Sequence, residues 1–397
     1  MMLGKTQDEL KSFLDSLESQ GLKKQERILT TPQRGRIGVE GRGEVLNFCA
    51  NNYLGLSDSP EVIEAAKAAL DRWGYGLSSV RFICGTQSIH KELEDKISAF
   101  LGTEDTILFS SCFDANGAAF EPLMEAGDTI ISDELNHASI IDGIRLSKAD
   151  RLRYKHSDMT SLEDALKNSA SSRRRLIVTD GVFSMDGDIA LLKDICDLAE
   201  KYDAIVMVDD SHATGYIGQT GRGTPEYWGV ADRVDMVTTT FGKACGGASG
   251  GCISGRRELV NLYRQRARPY LFSNTLAPAI CGATIKVIEL LEAGNPYREK
   301  TLENAALFRS RMEKAGFELV KGNTAIIPVM TYDEVLAVDM ASRLLDEGVY
   351  VIGFTYPVVP KGKARIRVQL SAQHTQDDIG RVVEAFTKVG KQVGLIA

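Results

Sequence analysis

Five short apolar runs, Thr106 to Phe109, Thr129 to Ile131, Leu176 to Thr179, Ile205 to Val208 and Met236 to Thr239, recur through the middle of the chain. Between them lie segments of helical periodicity such as His90 to Leu101 and Leu191 to Tyr202. A run without polar alternation must be covered on both faces, and strands separated by helices return in the same direction. The pattern therefore predicts a mostly parallel sheet flanked by helices, the α/β class. This large domain is expected over residues 51–293, closed by a long helix from Ala277 to Leu291 and broken at Ala293-Gly294-Asn295-Pro296. Before it, residues 1–50 read as a helix (Thr6 to Glu18) and a glycine- and arginine-rich hairpin or arm around Arg34 to Gly38. After it, residues 294–397 read as a smaller α+β domain, with strands near Ala325 to Val329, Val349 to Gly353 and Ala364 to Leu370 and helices at Glu334 to Leu345 and Thr375 to Val389. No internal repeat or low-complexity segment interrupts this order.

Composition excludes several function classes. With 397 residues, 43% apolar and 25% charged, the chain can bury a large core and shows no disorder signature. A formal charge of −7 offers no basic stripe for nucleic acid, and no apolar segment approaches a bilayer span. The seven cysteines are odd in number and form no CxxC pair, which points to reduced thiols in a cytoplasmic compartment. Met1-Met2-Leu3-Gly4-Lys5 leads into an acidic amphipathic helix rather than a signal core or arginine-rich presequence, so secretion is not expected.

The chemistry is concentrated where strands end. Thr240-Phe241-Gly242-Lys243-Ala244, followed by the run Gly246 to Gly251, holds a lysine at the start of a small-residue loop, and Val208-Asp209-Asp210-Ser211-His212 lies about thirty residues upstream behind a buried strand. A lysine that can form a Schiff base, an acid and a histidine in that order suit pyridoxal phosphate (PLP). Its ring nitrogen must stay protonated beside a carboxylate, Asp209, and its aldehyde must be held by a lysine, Lys243. Away from water such a lysine has its charged form disfavoured, and it can serve as nucleophile and then as base. A surface lysine after a strand is the competing reading of Lys243 alone.

In an open α/β sheet, ligands sit outside the carboxyl ends of the strands. Ser110-Ser111-Cys112-Phe113-Asp114-Ala115-Asn116 follows one strand and opens a helix, which suits a phosphate as well as an ordinary cap. His137, after another strand, could stack on a flat cofactor or be purely structural. Phe183-Ser184-Met185-Asp186-Gly187-Asp188 could aim a hydroxyl at the cofactor or form a plain turn. Gly74-Tyr75-Gly76-Leu77-Ser78-Ser79 lacks the strand and the third glycine of a dinucleotide fingerprint, the Gly242-Lys243 run lacks P-loop spacing, and the histidines show no metal-ligand spacing. No metal is implied.

Four longer blocks carry a resemblance that covers nearly the whole chain: Asn47 to Leu56, Ser79 to Thr86, Asp180 to Gly187, and Arg268 to Asn274. On these the sequence is similar to the α-oxoamine synthases, fold type I PLP enzymes. The resemblance implies that Lys243 is the Schiff-base lysine, Asp209 the partner of the ring nitrogen, His212 and Ser184 hydrogen-bond partners of the ring hydroxyl, and His137 the stacking residue. Cys112 and Phe113 would offer backbone N–H groups, and Thr240 its hydroxyl, to the phosphate. The site would be shared across a homodimer, with Ser273 and Asn274 of the partner subunit reaching the same phosphate. Arg367 would grip an amino-acid carboxylate, helped by Asn51, with Arg365 on the same strand face as its competitor.

The implied reaction joins glycine to acetyl-CoA, giving 2-amino-3-oxobutanoate and coenzyme A, or runs in reverse in threonine breakdown, where a threonine dehydrogenase is a candidate partner. Aminolevulinate-forming relatives carry Thr-Arg-Asn where this chain has Val80-Arg81-Phe82, and a succinyl carboxylate against Val80 and Phe82 would lack partners. A short acyl group is expected, with a pimeloyl donor as the alternative inside the family. A catalytically dead relative acting as a binding subunit is the alternative outside enzymes. The presence of Lys243, Asp209 and His137 argues against it.

Overall fold

The computed structural model describes residues 4–19, 24 and 26–397; Met1 to Leu3, part of the stretch read for a leader, lie outside the described residues. Its strands are β1 (Arg36–Val39), β2 (Gly43–Asn47), β3 (Asp105–Phe109), β4 (Thr129–Asp133), β5 (Asp150–Tyr154), β6 (Arg175–Asp180), β7 (Ile205–Asp209), β8 (Met236–Thr240), β9 (Gly251–Gly255), β10 (Ile326–Tyr332), β11 (Val349–Tyr350), β12 (Ile352–Phe354) and β13 (Ala364–Gln369). Among the described residues they form three sheets, the largest in the order β3-β9-β8-β7-β6-β4-β5. Every pairing from β8 to β5 is parallel, while β9 runs antiparallel to both its neighbours. The expected α/β sheet is therefore present.

Side-chain alternation explains why both faces of this sheet are covered. Ile130, Leu176, Val178, Met207, Met236 and Ile253 pack on one face with the helices Cys112–Ala119 and Arg257–Arg266. Ile131, Ile177, Val206, Val208 and Val237 pack on the other with the helices Met159–Asn168 and Leu192–Tyr202. Each fully buried aliphatic side chain contributes about 1.5–3 kcal/mol. The parallel strands all end at one edge, and that edge carries the chemistry.

Three elements differ from the sequence expectation. β5 reads Asp150-Arg151-Leu152-Arg153-Tyr154 and sits at the sheet edge, where one face need not be apolar. β9 is hidden in the glycine-rich run because Gly251 and Gly255 give it no strand signature. The single strand expected at Val349 to Gly353 is two: β11 pairs parallel with β2, and β12 pairs antiparallel with β13 in a different sheet. In addition, the 19-residue helix Pro296–Lys314 follows directly on the Asn295 cap, so the predicted break separates two helices.

The β1–β2 hairpin forms as expected, and through β2–β11 it joins the C-terminal part of the chain. β10, β13 and β12 make the remaining sheet, on which Arg365 and Arg367 stand. The N-terminal helix Lys5–Ser19 buries no residue and leaves Leu10, Phe13 and Leu14 exposed. Among the described residues no helix is long and apolar enough to cross a membrane.

Candidate active site

A cavity of about 220 Å³ opens at the carboxyl ends of the parallel strands, lined by Asp180, Asp209 and Thr240 at the ends of β6, β7 and β8 and by His137 in the segment after β4. Beside it the helix Cys112–Ala119 begins. Its cap, Ser111, accepts from the Asp114 N–H at 3.0 Å, which leaves the first-turn N–H groups of Cys112 and Phe113 without intrahelical acceptors. Such a terminus favours an anion. The helix reaches this place because β9 presents Gly251 to it: a Cβ there would lie 2.6 Å from both the N and the Cα of Cys112. Thr240, at the end of β8, also lines the cavity, its hydroxyl accepting from the Gly242 N–H at 3.1 Å.

Asp209 ends β7 and is buried. Its Oδ2 accepts from Asn116 Nδ2 at 2.6 Å and its Oδ1 from the Ser211 N–H at 3.0 Å. Asn116 in turn accepts from the Thr238 hydroxyl at 2.8 Å, so the carboxylate is fixed from behind and remains free toward the cavity. Asp180, at the end of β6, is the direct register partner of Asp209. Burial, and then the neighbouring Asp209 charge, hold the Asp180 carboxyl well above the usual range, which favours its protonated form.

His137 caps the helix Ala138–Leu146; its Nδ1 lies 2.7 Å from the Ser139 hydroxyl, and its backbone N–H donates to Asp180. Burial lowers its pKa, and Lys243 adds to that while Asp209 opposes it. His212 is held more strongly neutral, by burial and then by Lys243, Arg367 and His137, with Nδ1 2.8 Å from the Tyr53 hydroxyl. Both rings thus face the cavity uncharged. Lys243 also lines it, and burial pushes the ammonium below its ordinary pKa against the attraction of Asp209. The balance favours a neutral amine more than in water, the state a nucleophile or base requires.

Arg365 and Arg367 point from β13 toward the loop after β6 but differ in their partners. Arg365 pairs with Asp186 at 2.6 Å and donates to the Met185 carbonyl. Arg367 donates to the Ser184 carbonyl at 2.9 Å and lies 4.8 Å from the centre of the Phe354 ring, yet among the described residues it has no carboxylate partner. Two more of its donors, Nε at 3.1 Å and Nη2 at 3.3 Å, meet the Gln369 amide, whose oxygen must face a guanidinium that carries only donors. Asn51 lies 2.9 Å beyond, on the same amide. Arg367 is close enough that its charge lowers the pKa of both His212 and Lys243.

The single chain therefore brings Cys112, Phe113, His137, Asp209, His212, Thr240 and Lys243 around one cavity, with Arg367 and Asn51 beside it. Ser184 is not in the cavity wall; it meets the site through its carbonyl on Arg367. Val80, Phe82, Ser273 and Asn274 also stand outside the wall. They occupy two exposed loops tied together by Thr275 N–H to the Ser79 carbonyl at 3.1 Å and Thr275 Oγ1 to the Gly85 carbonyl at 2.7 Å. The Ser110 hydroxyl donates to the Asn274 carbonyl, which places these loops next to the helix terminus. Arg81 is spent inside this unit, on the buried Glu94 at 2.9 Å. Asn116, Asp180, Ser139 and Tyr53 complete the site without having been singled out by sequence. Asn116 falls four residues after Cys112, one helical turn, and Asp180 ends a strand as Asp209 does; those were the available signals.

A flat, anionic, aldehyde-bearing cofactor fits this arrangement: an amine, a fixed carboxylate, two neutral imidazoles and an orphaned helix terminus share one small cavity. The fold and site define a fold type I PLP enzyme, and PLP is its cofactor. The model of the class I and II aminotransferases matches residues 43–386. The 2-amino-3-ketobutyrate coenzyme A ligase of Escherichia coli K12 is 58% identical over the full length of both chains. The mitochondrial human protein of the same name is 55% identical over 98% of this chain and 93% of its own. A solved serine palmitoyltransferase from S. paucimobilis, with PLP–myriocin aldimine bound, superposes with a TM-score of 0.93 at 31% identity over the whole of both chains. This chain belongs to the class I and II aminotransferase family, and within it to the α-oxoamine synthases.

Proposed function

We propose that this chain is a PLP-dependent glycine C-acetyltransferase, joining glycine and acetyl-CoA to give 2-amino-3-oxobutanoate and coenzyme A, and catalysing the reverse cleavage during threonine breakdown. The full-length likeness to two proteins named 2-amino-3-ketobutyrate coenzyme A ligase supports the substrate pair. The observation that carries the amino-acid half is Arg367, a buried guanidinium with no carboxylate partner among the described residues, standing beside the lysine and carboxylate of the cofactor cavity. A glycine carboxylate would complete it in a fork of two charge-assisted bonds.

PLP, when bound, supplies the electron sink that lets a glycine α-carbon lose a proton. The residues do the rest. Lys243 would tether the cofactor, and its Nζ would remove the α-proton, a task that its depressed pKa favours. Asp209 would keep the ring nitrogen protonated and His137 would cover the ring face. The neutral His212 would offer its free nitrogen to the ring hydroxyl, while Ser184 and Asn51 hold the Arg367 side of the site. Cys112, Phe113 and Thr240 would receive the phosphate. The glycine α-carbon would bond to the thioester carbonyl carbon as the carbon–sulfur bond breaks, and the proton taken up by Lys243 Nζ would pass to the leaving sulfur, so that coenzyme A departs as the thiol.

The second part of the reading is a homodimer. Phe82, Ile83, Phe113 and Phe272 are all more than half exposed, and their loops adjoin the helix terminus at the cavity. Pairing two copies through this apolar surface would cover it, and would bring Ser273 of the partner subunit and Asn274 of the partner subunit to the phosphate. The same loop would close the acyl end with Val80 and Phe82, whose apolar side chains suit acetyl over succinyl. A threonine dehydrogenase is the partner that would hand over the labile β-keto acid without release. The seven free thiols suit a reducing compartment, and we place the chain in the cytoplasm.

The test is release of coenzyme A thiol by the yellow holoenzyme at fixed glycine, with acetyl, succinyl, pimeloyl and palmitoyl thioesters compared. Turnover favouring acetyl supports the reading. A preference for pimeloyl would retain the family and replace the substrate.

A further inference from the structure

The loop between β6 and the helix Leu192–Tyr202 is the joint between the cofactor sheet and the C-terminal sheet. It folds tightly, with Phe183 N–H on the Asp188 carbonyl at 3.1 Å and Gly187 N–H on the Phe183 carbonyl at 2.8 Å. Its outward carbonyls are taken by the C-terminal region: Ser184 by Arg367, Met185 by Arg365 and Gly187 by the Thr324 hydroxyl at 2.6 Å. Gly187 has φ +73°, and a Cβ on it would stand 2.4 Å from the Ile326 carbonyl oxygen, so the two parts touch backbone to backbone. Where this loop sits decides where Arg367 sits relative to Lys243.

The loop is in turn anchored by one side chain. Asp188 Oδ2 lies 2.9 Å from His156 Nε2, and among the described residues this is the only hydrogen bond to that carboxylate. The other ring nitrogen, Nδ1, lies 3.1 Å from Asp133 Oδ1, and the ring stands edge-on to Phe183 at 4.4 Å. Carboxylates only accept, so a ring that serves one at each nitrogen carries two protons. Asp133 also accepts from the Leu135 N–H at 2.9 Å, two residues before His137. One imidazolium therefore ties the loop that carries His137 to the loop that holds Arg367, although His156 itself is not in the cavity wall.

We infer that His156 is a positioning residue for the amino-acid substrate, a doubly bonded cation that keeps the Arg367 clamp in register with the cofactor cavity. The inference rests on reading Arg367 as the clamp for the glycine carboxylate. Around the residue stand Asp133 at the end of β4, Glu134, which accepts the His156 backbone N–H, and Asp188 on the loop, with the buried Tyr154 phenol acting on Asp133. Burial opposes a charged ring here, but the bonds to Asp133 and Asp188 outweigh it and raise the His156 pKa to about 10. The other histidines, His90, His137, His212 and His374, are all shifted down, with burial the main cause. In the folded protein the ring keeps its charge until pH rises through about 10, and because that exceeds the unfolded value near 6.5, the stability it contributes is complete below about 6.5 and lost as pH rises through about 10.

Two measurements on the holoenzyme test this. Imidazole nitrogen resonances of the wild type at pH 8 should show one doubly protonated ring among neutral ones, and that signal should vanish in His156→Gln; five neutral rings would overturn the inference. In steady state, His156→Gln and Asp188→Asn should each raise the glycine KM about tenfold, with the acetyl-CoA KM within about twofold of wild type, as expected for a misplaced clamp. An unchanged glycine KM in a folded variant, or both KM values rising together, would overturn it. Arg367→Gln serves as the reference. If that change leaves glycine binding intact, the clamp reading itself has failed, whereas an effect in Arg367→Gln without one in His156→Gln removes only the role of His156.

Discussion

Arg365→Gln and Arg367→Gln, two residues apart on β13, should fail in opposite ways. Arg367 is 9% exposed and has no carboxylate partner among the described residues, so its guanidinium is held ready for one. Losing two charge-assisted hydrogen bonds to a substrate carboxylate, at about 1.5–3 kcal/mol each, removes about 3–6 kcal/mol. At 1.36 kcal/mol per tenfold, kcat/KM for glycine should fall by about 10²–10⁴-fold. Folding stability should change by less than about 1 kcal/mol, because the variant also sheds the cost of burying an unpaired cation. Arg365→Gln should instead leave Asp186 without its 2.6 Å partner. Since Asp186 is about a quarter exposed, the loss is discounted to about 1–3 kcal/mol of stability. The assay pairs steady-state kinetics with urea unfolding of both holoenzymes. A glycine kcat/KM reduced less than about fivefold in Arg367→Gln, or equally in both variants, would refute the assignment.

Further predictions follow from the same geometry. Gly251→Ala should push the helix terminus away from β9, through the 2.6 Å approach to Cys112, and weaken cofactor retention on dialysis about tenfold or more, with the sheet intact by circular dichroism. Burial, first, and the nearby Asp209 charge raise Asp210 to about 7, against the bonds from Thr224. The stability its protonated form provides is therefore complete below the unfolded value of 3.8 and lost as pH rises through about 7, a span worth about 4 kcal/mol. Asp210→Asn should flatten the unfolding free energy between pH 4 and 7 relative to wild type, and an unchanged slope would refute this. Phe272→Glu and Phe82→Glu, at exposed apolar positions, should give monomers by sedimentation and cut activity at least about tenfold if the site is shared between copies; fully active monomers would remove the dimer reading.

Legibility in the sequence followed burial. The strands that end at Asp209 and just before Lys243 were visible because both their faces are covered, which leaves uninterrupted apolar runs such as Ile205 to Val208. β5 escaped because an edge strand can alternate, and β9 because its glycines serve the approach of the helix Cys112–Ala119 rather than strand propensity. The carboxylates separate in the same manner. Asp209 could be picked out by its distance along the chain from Lys243, whereas Asp180 becomes its neighbour only through the register of β6 on β7. Ser184 was expected to offer a hydroxyl, yet it is the carbonyl that meets the site, because the turn at Gly187 directs that backbone toward β13.

The order of strand and helix, and the identities of Lys243, Asp209, His137 and His212, are properties of the one-dimensional pattern. Apolar periodicity and residue type are local, and parallel strands deliver their ends to a single edge whatever their order. Which arginine is free, which histidine is a cation and which aspartate keeps its proton were decided only by folding. Each depends on a partner far away in sequence: Asp186 neutralises Arg365, Asp133 and Asp188 raise the pKa of His156, and burial with Asp209 alongside raises that of Asp180. Charge state is set by what lies within a few ångströms, and that neighbourhood exists only once the chain has closed on itself.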